Sequence, residues 1–266
     1  MTYRRKTVSQ SVRFEGLGLH SGIPVVVTVQ ASDDGIRFRY GSDTIRATPE
    51  NVSDTTRCTR LGPVSTIEHL MSAFAGLEIT DAEVELSAPE LPGMDGSAQL
   101  YVEGLLAAGL IEIGEDKVPD LYRRVFFKEG GTEIAVAKGS GHWRYSYETG
   151  ARWPGTQVFE TRDVAAEFRE EIARARTFAL TEELPMIKKM GLGQGLDETS
   201  ALILGTDGYQ NESRFADEPA RHKLLDLIGD LYLSGIPIRF LNVSSDRSGH
   251  TSNVKAAAML KQAMAP

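Results

Sequence analysis

Two histidines, an aspartate and a glutamate have the spacing that a catalytic metal site requires. His69 follows Glu68 directly, and far along the chain Asp226 follows His222 by four residues, which on a helix places both side chains on one face. A catalytic zinc ion takes three protein ligands of nitrogen and oxygen type and leaves its fourth position to water, whose proton a nearby carboxylate removes. The sequence therefore predicts His69, His222 and Asp226 as zinc ligands. Glu68 is the predicted general base.

Each of these residues alone also has a simpler structural interpretation. His222 and Asp226 can form a weak ion pair at the solvated edge of a helix. Glu68 fits a capping box with Ser65, in which it caps its own helix whether or not catalysis occurs. His69 can be an ordinary helical histidine. Only the combination with the motifs below favours the metal site.

A third histidine offers a proton donor. His250 follows a serine and a glycine in a predicted loop before the last helix. An imidazole, whose ordinary pKa is near neutral, suits protonation of a departing amine. Asp230, one turn beyond Asp226, can pair with His250 and keep it cationic. Arg247 and Lys223 offer positive charge to a carboxylate, hydroxyl or phosphate of a ligand.

The composition is that of a protein from a reducing compartment. The chain has 266 residues, 41% of them hydrophobic, and a net charge of -8, which argues against a general nucleic-acid binder. The single cysteine, Cys58, excludes an internal disulfide and a cysteine-based zinc site. We expect a cytoplasmic protein, because the cysteine count suits a reducing compartment and neither a secretory signal nor a membrane span is predicted. We also expect a monomer. Peripheral contact with a membrane remains compatible with the sequence.

Alternating and helical patterns predict an α+β chain in two similar halves. Predicted strands lie at 24–29, 35–40, 82–86, 125–127, 133–136, 143–147 and 236–243. Predicted helices lie at 65–76, 97–109, 219–234 and 251–264. In both halves a histidine-bearing helix ends at a glycine and a strand follows. We therefore predict a duplicated sheet-plus-helices unit, with domains 1–118 and 119–266, a charged linker at 114–120 and the site in the cleft between the copies.

The segment 179–195 is apolar and ends in glycines. It predicts either a core helix or, within the second domain, a hydrophobic insert that shelters an acyl chain. The glycine-rich run 191–195 is not a nucleotide loop, since it lacks the Lys-Ser/Thr pair of a phosphate loop and the preceding strand of a dinucleotide fingerprint.

A set of motifs follows in order along nearly the whole chain. They are Gly-Leu-Gly-Leu-His-Ser-Gly at 16–22, Asp-Thr-Thr-Arg-Cys-Thr at 54–59, the helix at 65–76, Met-Asp-Gly-Ser at 94–97, Arg-Thr-Phe at 176–178, the helix at 221–231 and Ser-Gly-His at 248–250. Together they resemble the zinc-dependent UDP-3-O-acyl-N-acetylglucosamine deacetylases of lipid A biosynthesis. Each motif is weak alone, and the set is highly specific.

The resemblance implies two α+β domains that face each other across the active site. It implies a zinc-dependent amidohydrolase that removes the N-acetyl group of a UDP-linked acylated amino sugar and releases acetate. Carried over to this sequence, it makes His69, His222 and Asp226 the zinc ligands. It also makes Glu68 the general base and His250 the general acid or electrostatic partner.

The resemblance also implies supporting roles. Asp230 would support the acid, and Thr177 would help to stabilise the oxyanion. Lys223 and Phe178 would contact the substrate. Arg247 stands where the family tends to place a basic residue near the diphosphate.

The chain departs from the family's pattern at 195–201, 56–57 and 153–157, regions that hold the acyl chain and the nucleotide. One alternative is therefore a divergent deacetylase of another N-acetylated sugar. Another is a catalytically silent binding protein for a nucleotide sugar or lipid. The presence of both Glu68 and His250 argues against the silent protein, because binding alone requires neither residue.

Overall fold

The computed structural model describes residues 1–264. Its strands are β1 (Thr2–Val8), β2 (Val12–Leu17), β3 (Pro24–Gln30), β4 (Ile36–Tyr40), β5 (Asp43–Arg46), β6 (Val52–Asp54), β7 (Arg60–Leu61), β8 (Ala82–Leu86), β9 (Leu110–Lys117), β10 (Val125–Glu129), β11 (Thr132–Lys138), β12 (Trp143–Glu148), β13 (Thr156–Thr161), β14 (Phe178–Leu180), β15 (Leu202–Leu204) and β16 (Leu241–Asp246). Its helices are α1 (Glu68–Leu77), α2 (Gln99–Ala107), α3 (Val164–Glu167), α4 (Leu184–Lys189), α5 (Glu218–Tyr232) and α6 (His250–Ala263). Among residues 1–264, no helix has both the length and the apolar character needed to cross a bilayer.

Two five-stranded sheets share one strand order. The first runs β2-β3-β8-β4-β5 and the second runs β10-β11-β16-β12-β13. In each sheet the central strand is antiparallel to one neighbour, β3 or β11, and parallel to the other, β4 or β12. A long helix, α1 or α5, precedes the central strand and provides the crossover that parallel pairing needs. The predicted α+β fold with a duplicated unit is confirmed.

Period-two alternation along the strands builds the core of each half. In β3, Val25, Val27 and Val29 are buried, and the residues between them are only partly so. In β12, Trp143 and Tyr145 point to the same buried side. Helices cover these apolar faces, among them α5 over β12 and α6 over β10. Each half is thus a sheet packed against helices.

The two halves meet where α1 packs against α5. All residues of α1 from Glu68 to Ala75 are buried. At Gly229 in α5, a Cβ atom would lie only 2.1 Å from the backbone carbonyl oxygen of Glu68. Glycine at this position therefore allows the two helix backbones to touch.

The N-terminal strand pairs with the strand that ends the first half. β1 and β9 form an antiparallel ribbon, with a bulge between Arg5 and Lys6. The predicted linker at 114–120 is therefore wrong for residues 114–117, which belong to β9. Their charges are compatible with a strand because the ribbon is exposed and Arg4 pairs with Glu115 at 3.2 Å. The division of the domains at 118/119 stays a prediction.

The predicted strand at 236–243 begins later than the pattern indicated. Pro237 has no backbone N–H to donate to a sheet, and Ile238–Phe240 forms a short 3-10 helix before β16 begins at Leu241. Ile236 is nevertheless buried. The apolar alternation here reflects packing into the core and not a strand.

The apolar segment 179–195 is not a core helix. It contains most of β14, then α4, and no residue of α4 is buried. Met186 and Met190 are each 53% exposed. The segment therefore lies at the surface, and its role as an insert that shelters an acyl chain stays a prediction.

Replacing Gly229 with alanine tests the helix contact. The added methyl group collides with the carbonyl of Glu68, so α1 and α5 must move apart, and we expect the free energy of unfolding to fall by about 1–3 kcal/mol. Urea unfolding followed by circular dichroism measures this change. Gly208→Ala is the matched control, because a Cβ atom there meets no atom of residues 1–264 within 4 Å. Unchanged stability of the Gly229 variant would contradict the contact.

Candidate active site

The three predicted metal ligands lie together at the junction of α1 and α5. Nε2 of His69 is 3.7 Å from Oδ1 of Asp226, and Nε2 of His222 is 3.5 Å from the same oxygen. One ligand atom from each residue lies within 4.8 Å of the other two. All three side chains are buried. The interpretation of His222 and Asp226 as a solvated helix edge is therefore wrong.

The donor atoms fit a divalent cation of the zinc type. Oδ1 of Asp226 is buried and has no hydrogen-bond partner among the described residues, which is costly for a carboxylate oxygen unless a ligand completes it. Nδ1 of His222 lies 3.0 Å from the carbonyl oxygen of Ala175. Because a carbonyl only accepts, Nδ1 must carry the proton, and the lone pair of Nε2 faces the aspartate. Two imidazole nitrogens and one carboxylate oxygen form the ligand set of a catalytic zinc site.

The electrostatics favour the protonation states that bind metal. Burial and the neighbouring His222 lower the pKa of His69 to about 3, and burial also lowers the pKa of His222. Both imidazoles are therefore neutral near pH 7. Burial alone would raise the pKa of Asp226, but Lys223, whose Nζ lies 2.9 Å from Oδ2, and the nearby histidines hold that pKa well below its usual range.

Glu68 and His250 face each other beside the three ligands. Oε1 of Glu68 is 3.9 Å from Nε2 of His250, and Nδ1 of His250 is 3.1 Å from Oδ2 of Asp230. Burial raises the pKa of Glu68 to about 8. Burial opposes the charge on His250, but the carboxylates of Asp230 and Glu68 outweigh it and raise the pKa of His250 to about 9. The pair can therefore exchange a proton near neutral pH.

The capping box predicted for Ser65 and Glu68 is wrong. Thr66 has a φ of 62°, a left-handed conformation that prevents a helix from beginning at Ser65, and α1 begins at Glu68 itself. The Glu68 carboxylate instead accepts a hydrogen bond from the backbone N–H of Thr59 at 3.0 Å. The side chain is thus free of a capping role and points into the site.

His250 is not in a loop. It is the first residue of α6, directly after Gly249. The imidazole is therefore attached to a 14-residue helix and not to a loop. Its neighbour one turn later, Asn253, donates to Oδ2 of Asp230 at 3.0 Å.

A cavity of about 690 Å³ contains these groups and continues into the insert. One part of its wall is polar and holds the three ligands, Glu68 and His250. The other part is largely apolar. Its apolar lining comprises Leu19, Phe178, Ala179, Leu180, Leu184, Ile187, Leu192, Leu196, Ala201 and Ile203. The cavity can therefore hold a molecule with a polar reacting group and an apolar chain.

Three of the remaining predicted site residues line this cavity, namely Thr177, Phe178 and Lys223. The ring of Phe178 packs edge-on against His222, with centroids 6.1 Å apart. Nζ of Lys223 lies 5.8 Å from the centre of the Phe178 ring. Arg247 is not brought into the cavity: its side chain is half exposed and lies 3.5 Å from Glu148.

The sequence patterns gave no role to several residues that hold the site together. Thr59 and Asn253 both bind the Asp230 carboxylate. Asn253 could have been found from its three-residue spacing to His250, which places both on one helix face. Glu90 accepts a hydrogen bond at 2.7 Å from the backbone N–H of His20, which lines the cavity.

Comparison with known proteins gives a family match over most of the chain. A family model described as UDP-3-O-acyl N-acetylglycosamine deacetylase matches residues 5–262. The UDP-3-O-acyl-N-acetylglucosamine deacetylase of Francisella tularensis subsp. tularensis (strain WY96-3418) is 33% identical over 273 residues, which cover 95% of this chain and 94% of the relative.

Two further relatives carry the same name. The protein of Nostoc sp. (strain PCC 7120) is 35% identical over 252 residues, covering 87% of this chain and 89% of the relative. The protein of Cellvibrio japonicus (strain Ueda107) is 35% identical over 277 residues, covering 97% of this chain and 90% of the relative.

Zinc is expected to stabilise the fold through the three ligands. At a free zinc concentration about 100-fold above the dissociation constant, the wild-type free energy of unfolding should rise by about 2.7 kcal/mol. The double variant His69→Ala/His222→Ala should gain almost nothing. Calorimetric unfolding with and without zinc measures both.

His142→Ala serves as the histidine control for that experiment. Its imidazole pairs with Glu160 at 2.7 Å on the surface, away from the cavity. It should retain the full zinc effect. If zinc stabilised the double variant as much as the wild type, the ion would have to bind outside the site formed by His69, His222 and Asp226.

Proposed function

Because the chain belongs to the UDP-3-O-acyl N-acetylglycosamine deacetylase family, we propose that it removes the N-acetyl group of UDP-3-O-acyl-N-acetylglucosamine and acts in lipid A biosynthesis. It is an enzyme, and the relatives lend no support to a silent binding protein. The observation that carries the proposal is the position of Glu68 and His250 beside His69, His222 and Asp226 in one cavity.

We propose zinc as the metal, held by His69, His222 and Asp226. When bound, zinc would acidify a water molecule and polarise the acetamide carbonyl. The protein's own contribution is to present neutral imidazoles and an ionised carboxylate. The pKa shifts of these three residues favour those states before any metal binds.

Glu68 is the general base in this proposal. Its Oε2 is occupied by the N–H of Thr59, so Oε1 is the oxygen available to a water molecule. A carboxylate whose pKa is raised to about 8 by burial is a stronger base than an exposed one and remains usable near neutral pH. It takes the proton of the water as that water attacks the acetamide carbon.

His250 completes the reaction as general acid. Asp230 keeps its imidazole protonated, and Nε2 faces the space beside Glu68. That proton passes to the amide nitrogen as the C–N bond breaks, and acetate and a free amine leave. Thr177 lines the same cavity, and we assign its hydroxyl to the oxyanion of the tetrahedral intermediate, where one such donor is worth about 3 kcal/mol.

The apolar wall suits the 3-O-acyl chain. Leu184 and Ile187 of α4 and Leu192 after it line the cavity beyond Phe178. Lys223 offers its charge at the polar end. Arg247 lies outside the cavity, so it could act only on a part of the substrate that extends beyond it, such as the diphosphate.

The nucleotide-sugar substrate and the single cysteine both favour the cytoplasm, which we propose as the compartment. Of the proposed partners, the UDP-linked amino sugar is supported by the names of the relatives. That the chain acts as a monomer stays a prediction from its sequence.

Glu68→Ala tests the base. Zinc-loaded wild-type protein should release acetate from UDP-3-O-acyl-N-acetylglucosamine, and the variant should lose about 100-fold or more in kcat, because general-base catalysis contributes on that scale. Its zinc content should be unchanged. Glu103→Ala, at an exposed position of α2, is the control. An active Glu68→Ala variant would refute the assignment of Glu68 as the base. If the wild-type protein turned over a substrate without the acyl chain equally well, the divergent deacetylase would be favoured.

Asp230→Asn tests the acid through the pH dependence of kcat. His250 works in its protonated form, so activity is lost as pH rises through its pKa. Asp230 raises that pKa towards about 9, and removal of its charge should therefore move the alkaline limb of the profile to lower pH, by about one unit or more. Turnover measured from pH 6 to pH 10 shows the limb. An unmoved limb would mean that another group titrates there.

A further inference from the structure

We infer that Thr59 is a positioning residue, which holds the base Glu68 and the Asp230–His250 pair in one fixed arrangement. The inference rests on the proposed function, since it uses the roles given to those three residues. Thr59 lies directly before β7 and is fully buried. It stands behind Glu68 and His250, which form the cavity wall.

The backbone of Thr59 fixes the base. Its N–H donates to Oε2 of Glu68 at 3.0 Å, and its carbonyl oxygen accepts from the N–H of Ile67 at 3.2 Å. The residue is thus attached to the start of α1 through both of its peptide groups. With Oε2 occupied, the oxygen left to face His250 is Oε1.

The hydroxyl of Thr59 fixes the acid. Oγ1 lies 2.5 Å from Oδ1 of Asp230 and 3.3 Å from Nδ1 of His250. Because a carboxylate only accepts, the hydroxyl donates to Asp230, and its lone pairs remain for the N–H of His250. The other oxygen of Asp230 accepts from His250 and Asn253. Together, the hydrogen bonds from Thr59, His250 and Asn253 prevent the Asp230 carboxylate from rotating.

The hydroxyl and the backbone N–H can be tested separately. A valine at position 59 has nearly the same shape, keeps the N–H that binds Glu68 and lacks only the hydroxyl. Without it, Oδ1 of Asp230 loses its donor and His250 loses its second acceptor. The imidazole is then less well directed at the leaving nitrogen, while the cavity wall is unchanged. The loss should appear in kcat and not in KM.

The experiment compares acetate release by wild type, Thr59→Val and Thr59→Ser, all loaded with zinc. We expect kcat of the valine variant to fall by about 10-fold to 100-fold, with KM within about 2-fold and zinc content unchanged. The serine variant keeps a hydroxyl and should recover to within about 3-fold of wild type. If the valine variant does not fold, Thr59→Ala removes the same hydroxyl.

Thr7→Val is the matched control. Thr7 is also buried, and its hydroxyl oxygen accepts a hydrogen bond from the backbone N–H of Ser32 at 3.1 Å, but it lies in β1, away from the cavity. Its loss should lower stability alone. In a double variant, Thr59→Val should add little to Asp230→Asn, because both changes act through one carboxylate.

Three kinetic results would overturn the inference: wild-type kcat in Thr59→Val, failure of serine to restore kcat, or losses that multiply in the double variant. The imidazole NMR signals of His250 give a readout that needs no substrate. They should shift in Thr59→Val and stay in place in Thr7→Val, and unshifted signals would also overturn it. A wild-type protein that releases no acetate would refute the proposed function, and the NMR signals would still decide the position of Thr59.

Discussion

The contact between the backbones of α1 and α5 determines the geometry of the whole site. α1 carries Glu68 and His69, whereas α5 carries His222 and Asp226, so the ligands converge only when the two helices touch. Gly229 follows Asp226 by less than one turn and lies at the contact itself. Metal–ligand distances tolerate deviations of only about 0.2 Å, and a methyl group between the helices exceeds that.

Burial of charge is the second requirement, and it has an energetic cost that pairing must offset. Lys223 lies against Oδ2 of Asp226, and Asp230 receives hydrogen bonds from three side chains. Oδ1 of Asp226, by contrast, has no partner among the described residues. The unsatisfied oxygen is the one that faces the Nε2 atoms of both histidines. The Asp226 carboxylate is thus paired at Oδ2 and left unpaired at Oδ1, the position where a cation would bind.

Much of the fold follows from periodicity in the sequence, whereas the candidate site was predicted from the combination of motifs along the chain. The pattern at 219–234 predicts a helix with one apolar and one polar stripe. The observed helix α5 occupies nearly that range, and its residues His222, Asp226 and Asp230 are buried. Local rules failed where the backbone adopts a rare conformation: nothing in the sequence distinguishes Thr66, whose left-handed φ delays the start of α1 beyond Ser65. The role of Thr59 was equally inaccessible, because its hydroxyl binds a carboxylate 171 positions away. Such contacts depend on tertiary packing and not on local pattern.

The burial of α1 from Glu68 to Ala75 has a consequence for synthesis of the chain. β1 and β9 can pair once the first half has been made, but α5, which covers the remaining side of α1, emerges much later. At roughly 5–20 residues per second, the interval on the ribosome is on the order of ten seconds. During it the face of α1 around Ser72 and Gly76, which α5 and Phe168 cover in the complete fold, is open to solvent, and transiently exposed surface of this kind is prone to aggregation. Because the two halves share one site, the first half depends on the second to bury its helix α1.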